Sequence, residues 1–184
     1  MIIAKYHRVA GLAVALVIAI TAGCASSMPK PEYSRPIVAD AHISAPDLAQ
    51  VTVNAADDVK ILPMEEERLS QKIKAKIDAR KSANVRTGQA ITYEVELHLT
   101  RYEKGNAFAR AMLVGLGQIH IEGKVSLFQM PAHTLVGEFD LKKTFAWGGI
   151  YGAATSMEDI ENTFADGVAA AATGQKEEPP KQKT

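Results

Sequence analysis

The pattern of apolar and polar positions changes period several times along the chain. Val51 and Val53, then Val59 and Ile61, alternate on either side of Asp57-Asp58, which predicts two short strands about a turn. From Met64 to Arg80 the period becomes helical, with Leu69, Ile73 and Ile77 recurring every four residues among Glu, Lys and Arg. Pro63 suits the first helical position, where its missing N–H costs nothing. Glu65, Glu66 and Glu67 at the start, with Lys76, Arg80 and Lys81 near the end, complement the helix dipole.

Three long alternating runs follow. Ile91, Tyr93, Val95, Leu97 and Leu99 alternate with Thr92, Glu94, Glu96, His98 and Thr100. Ile119, Ile121, Val125 and Leu127 alternate with His120, Glu122, Lys124 and Ser126. Leu135, Phe139, Leu141, Phe145 and Trp147 share one parity, and Thr134, Glu138, Asp140, Lys142 and Thr144 the other. Period two with one apolar face predicts a sheet buried on one side. Pro131-Ala132-His133 is short enough for a hairpin. A last helix is predicted from Thr155 or Ser156, with Thr155 and Glu158 at capping-box spacing. Met157, Ile160, Phe164, Val168 and Ala171 form its buried stripe. The predicted class is α+β: a two-layer sandwich of one mostly antiparallel sheet covered on one face by two helices.

The N-terminus is of another kind. Lys5 and Arg8 precede an apolar run from Val9 to Ala22, which ends in small residues and the only cysteine, Cys24. A basic start, an apolar stretch too short for a comfortable membrane span and a small-residue exit make a secretory signal. Ala22, Gly23 and Cys24 resemble a bacterial lipobox, with Thr21 in place of the usual Leu. That resemblance implies cleavage between Gly23 and Cys24 and a lipid on the Cys24 thiol. With Ala25 rather than Asp next, it implies the inner leaflet of an outer membrane, facing the periplasm. A lone thiol can form no internal disulfide, and lipidation gives it a use in an oxidising compartment.

These signals divide the chain into a signal peptide at 1–23, a lipidated, proline-rich tether at 24–48, one domain at 49–173 and a disordered charged tail at 174–184. Lys and Arg together number 21, against 21 Asp and Glu. The mature chain, lacking Lys5 and Arg8, is slightly acidic with no basic patch, which speaks against a nucleic-acid partner.

The stretch between the first two long runs, Arg101 to Gln118, should be a loop, yet it carries Phe108, Met112, Leu113, Val114 and Leu116. A second glycine cluster, Trp147 to Gly152, lies at the same end if the sheet is a meander. Arg101-Tyr102-Glu103, Gly105-Asn106, Arg110, Gly115 and Gly117, followed by a long strand, resemble the domain-of-unknown-function family 4410 over about residues 89–173. The resemblance implies an envelope lipoprotein with an α+β fold and no known activity. The segment either completes the core or forms a partner surface built from Arg101, Gly105, Asn106, Phe108, Arg110, Met112, Gly115 and Gly117. Gly115 and Gly117 precede a strand rather than a helix, which argues against a phosphate loop.

No nucleophile motif is present. His98, His120, Glu122, Glu94 and Glu96 lie on the polar faces of strands that could be neighbours, where two His and a Glu could bind zinc; His98, His120 and Glu122 are the candidates for a metal-dependent or other small envelope hydrolase. The expectation is nonetheless a non-enzymatic binding or assembly module with no metal and no cofactor beyond the lipid on Cys24. Its partners would be the membrane, through the anchor, and an envelope protein. A structural lipoprotein that assembles through its own strand edges is a further alternative.

Overall fold

The computed structural model of the protein describes residues 27–83, 86 and 88–175. The signal peptide, Gly23, Cys24 and residues 176–184 lie outside them. The elements are β1 (Glu32–Arg35), a 3-10 turn (Ala39–Ala41), β2 (Leu48–Ala55), α1 (Pro63–Lys81), β3 (Thr92–Glu103), α2 (Ala107–Met112), β4 (Ile119–Gln129), β5 (Thr134–Phe145), α3 (Gly149–Ala154) and α4 (Met157–Thr173). The strands form one sheet in the order β1-β5-β4-β3-β2. Only β2 and β3 pair in parallel, with α1 as their crossover; the other pairs are antiparallel. The α+β class and mostly antiparallel sheet match the sequence pattern.

The pattern also sets the layers. Leu69, Ile73 and Ile77 of α1 and Ile160, Phe164, Val168 and Ala171 of α4 are buried against one face of the sheet. That face is made by Tyr93, Val95, Leu97 and Leu99 of β3, Ile119, Ile121, Val125 and Leu127 of β4, and Phe139, Leu141 and Phe145 of β5. Each such side chain contributes about 1.5–3 kcal/mol by leaving water, before ordering costs.

Several expectations need correction. Val59 and Ile61 form no strand; they pack on the core from the coil that leads into α1. The Glu65 carboxylate accepts the Leu62 N–H at 3.1 Å, so the chain turns into the helix there. The segment read as a tether joins the fold: Ser27 and Pro29 already contact β5 and α4. β1 pairs with β5, Ile43 is wholly buried, and its N–H donates to the Ala172 carbonyl at 3.0 Å. Pro31 and Pro36 flank β1 without harm because it is an edge strand. The first long strand does not stop at Thr100: a bulge between Leu99 and Arg101 shifts its phase, so Tyr102 turns inward and Arg101 outward. Trp147 lies past the end of β5 and leaves its buried row. The cap of α4 is Ser156 with Asp159, one residue later than predicted. Gly174 closes α4 at φ 68°, and Gln175 donates to the Arg80 carbonyl at 2.6 Å, so both belong to the domain rather than to a disordered tail.

Candidate contact surface at the end of the sheet

β3 and β5 both run antiparallel to β4, so the connection after β3 and the connection after β5 meet at one end of the sheet. Polar groups fix them together. Asn106 caps α2 by accepting the Ala109 N–H at 2.9 Å, and its own N–H donates to Gly117 O at 3.1 Å. Gly117 has φ 63°, and a Cβ there would fall 2.3 Å from Asn106 O. Gly105 is equally constrained, with φ 63° and a Cβ position 2.3 Å from the Gly117 and Gln118 carbonyl oxygens. Arg110 is buried at 3% exposure. Its guanidinium donates to Gly152 O (2.8 Å), Gly117 O (2.8 Å) and Thr155 O (2.9 Å), fastening α2 to the turns around α3. The Gly115 N–H donates to Ala146 O at 3.1 Å.

Over this frame stand apolar side chains that face solvent. Phe108 is 76% exposed, Ile150 89% and Tyr151 77%, with Met112, Leu113, Val114, Leu116 and Trp147 also exposed. The eight residues read as one surface therefore separate. Gly105, Asn106, Arg110 and Gly117 are the frame, and Arg110 is a buried clamp, because three carbonyls surround it. Arg101 lies on β3, paired with Glu103 (2.9 Å) and Glu122 (3.4 Å). Phe108 and Met112 are at the surface, and Gly115 forms an exposed turn. The sequence reading placed the second glycine cluster at this end but left Trp147, Ile150 and Tyr151 out of the surface. Their signal was a stretch without charge directly after a strand.

Of the polar-face candidates, Glu94 and Glu96 come together, but His98 does not converge with His120 and Glu122. His98 lies opposite Lys124 of β4 and contacts Asn54, whereas His120, four residues earlier on β4, lies opposite Thr144 and Glu103. Four residues of strand span about 13 Å. Burial and then the Arg101 charge hold the His120 imidazole below its usual pKa. Glu122 is occupied by Arg101 and by Lys142 at 3.2 Å. Elsewhere on the open face His133 Nε2 sits 3.5 Å from Glu94 and 3.7 Å from Glu96. Their ligand atoms lie within 4.8 Å of one another, close enough for an ion, but the three side chains are open to water, where exposed acidic groups are common without one.

A buried ionic cluster lies between the helices and the sheet, unannounced by the sequence pattern. Glu161 of α4 is fully buried and receives Arg68 (2.7 and 2.9 Å), Lys72 (2.7 Å) and the Tyr102 hydroxyl (2.7 Å). Burial pushes its carboxyl pKa up, but these donors outweigh that and hold it below the ordinary range. Burial and then Glu161 itself push the Tyr102 pKa up, so the phenol stays protonated. The cluster joins α1, β3 and α4 and is saturated by its own members.

The chain belongs to the DUF4410 family, a domain of unknown function whose model matches residues 37–149. The match begins well before residue 89, with the segment read as tether, and stops before α4. The fold is similar to that of a PelC dodecamer from Paraburkholderia phytofirmans in two crystal forms. One, a point variant, has 9% identity and a TM-score of 0.54 over 82% of this chain and 100% of that one. The other has 9% identity and a TM-score of 0.51 over 79% and 98%. A protein of the DUF330 family from Xanthomonas campestris has 16% identity and a TM-score of 0.42 over 79% and 91%. Comparison with curated proteins found no match. Among the described residues no helix is long and apolar enough to cross a membrane.

Proposed function

We propose that the protein is a non-enzymatic binding module of the bacterial cell envelope. A lipid on Cys24 would hold it at the periplasmic face of the outer membrane, and the apolar end would be its contact surface. One observation carries this reading: Phe108, Met112, Val114, Ile150 and Tyr151 stand exposed together on a frame clamped by Arg110. Contiguous exposed apolar side chains mark contact surfaces. A surface fixed in advance loses little entropy on contact. The buried polar groups support the same reading, since Glu161 and Arg110 serve internal partners and His98 and His120 stand apart.

The test is a photo-cross-linking residue placed at Ile150 or, as control, at exposed Thr52 on β2, in the native envelope. Adducts from Ile150 and not from Thr52 are expected. Adducts from Thr52 alone would move the contact to the sheet edge and overturn this assignment.

A second reading is self-assembly. Among the described residues β1 and β2 each leave one strand edge unpaired, and the PelC structures that share the fold are dodecamers. Sedimentation of the full-length protein in detergent decides it: a defined oligomer supports this reading, and a monomer removes it.

A further inference from the structure

We infer that the apolar end docks on the lipid surface of the membrane that holds the anchor, with Phe108, Trp147, Ile150 and Tyr151 entering its interfacial layer. This rests on the anchored-module reading above and names what the contact surface meets.

The chain to the proposed anchor leaves the domain beside the apolar end. β1 is antiparallel to β5, with Glu32 opposite Asp140. Upstream of Glu32 the chain therefore travels in the direction in which β5 approaches the apolar end. Pro29 lies against Gly167 of α4, where an added Cβ would meet its ring at 2.7 Å. The Ser27 carbonyl accepts a hydrogen bond from Lys143, two residues before β5 ends at Phe145. Cys24 is three residues further upstream, a reach of at most about 10 Å. Two residues of strand cover about 7 Å. Because the segment read as a tether is part of the fold, the leash from domain to lipid is short and starts beside the apolar end. The membrane that takes the acyl chains is the first surface that end meets.

Charge points the same way. From Gly105 to Gln118 the only charged residue is Arg110, which is buried, and Ala146 to Met157 has none. A protein interface ordinarily carries a polar rim around its apolar centre. Two adjoining segments without an exposed charge suit a lipid boundary, where an acid would meet anionic headgroups and any buried charge would be costly.

Side-chain type does too. Trp147 and Tyr151 have amphipathic rings of the kind that settle at membrane interfaces, next to Phe108, Met112 and Ile150. α2 and α3 have six residues each, so they can lie in the interface but cannot span it.

Trp147 is the only tryptophan in the chain and reports on this end alone. Full-length lipidated protein is placed in phosphatidylethanolamine and phosphatidylglycerol vesicles whose acyl chains carry bromine. Trp147 emission should shift to the blue and lose most of its intensity relative to unbrominated vesicles. The variant Phe108→Asp/Ile150→Asp/Tyr151→Asp, altered only at exposed positions, should lose that quenching while keeping its urea midpoint and still floating with the vesicles. If wild-type protein floats but Trp147 is not quenched by bromine and stays open to aqueous acrylamide, the lipid inference is overturned and the anchored-module reading stands. If the protein does not float with vesicles, both fall.

Discussion

Arg110 on α2 donates from Nε to the carbonyl oxygen of Gly152 on α3, at 2.8 Å and 42 residues further along the chain. The bond joins two glycine-rich connections that the sheet merely brings near each other. With Gly117 and Thr155 it gives a buried guanidinium three carbonyl partners and turns two exposed loops into one surface. Their apolar side chains owe their fixed positions to this polar group beneath them.

Arg110→Met should therefore destabilise the protein by about 2–4 kcal/mol, because it strands buried carbonyls without a donor. Arg110→Lys should recover only part of that, since an ammonium cannot reproduce the planar fork. Urea unfolding gives the total. Near-ultraviolet dichroism of Trp147 should weaken in Arg110→Met before global unfolding, because the clamp is local.

Gly117→Ala and Gly115→Ala should differ. Both residues have positive φ, 63° and 88°, and so carry the left-handed penalty of about 1–2 kcal/mol. A Cβ on Gly115 meets nothing within 4 Å, whereas one on Gly117 strikes Asn106 O. Thermal melting should show the smaller loss for Gly115→Ala. Equal losses would mean that the Asn106–Gly117 contact relaxes freely.

The same contrast shows what could be read in advance. The sheet, its polarity pattern and both long helices were legible because Leu69, Ile73 and Ile77, or Tyr93, Val95 and Leu97, keep one period over many residues. The Gly-Asn…Arg…Gly-x-Gly pattern was visible too, but as a surface, because nothing local says that Arg110 points inward at carbonyls 42 and 45 residues away. The Glu161 cluster was hidden for a related reason. The bulge after Leu99 turns Tyr102 inward, and an acid within an apolar helix stripe shows its partners only once α1 and α4 lie side by side. The tether was misread because its prolines resemble a linker, although proline is also tolerated beside an edge strand.

Acid should weaken the domain through Glu161. Its folded pKa lies below the unfolded value of about 4.3, so the ionised form contributes stability that is complete above that value. The contribution falls as pH drops below about 4.3 and is lost once pH passes the folded pKa. Glu161→Gln should lose about 2–4 kcal/mol at pH 7, because Arg68 and Lys72 lose their nearest counter-charge and Arg68 keeps only Glu65 and Glu158 at 3.8 Å. It should also flatten the acid limb of a urea-midpoint profile. An unchanged limb would place the acid sensitivity elsewhere.

Zinc should affect wild type and a His98→Ala/His120→Ala variant alike in thermal melts, since these imidazoles are about 13 Å apart along the sheet. A rise in Tm confined to wild type would restore a metal site on that face.

The most direct measurement uses the chain's single cysteine. Under the proposed lipidation of Cys24, an Ile150→Cys or Thr52→Cys substitution introduces the only free thiol. Isolated envelopes are treated with a membrane-impermeant maleimide before and after detergent extraction. Ile150→Cys should be protected in the envelope and react once extracted, while Thr52→Cys should react in both. Equal labelling of Ile150→Cys before and after extraction would contradict the claim that the apolar end is the contact surface.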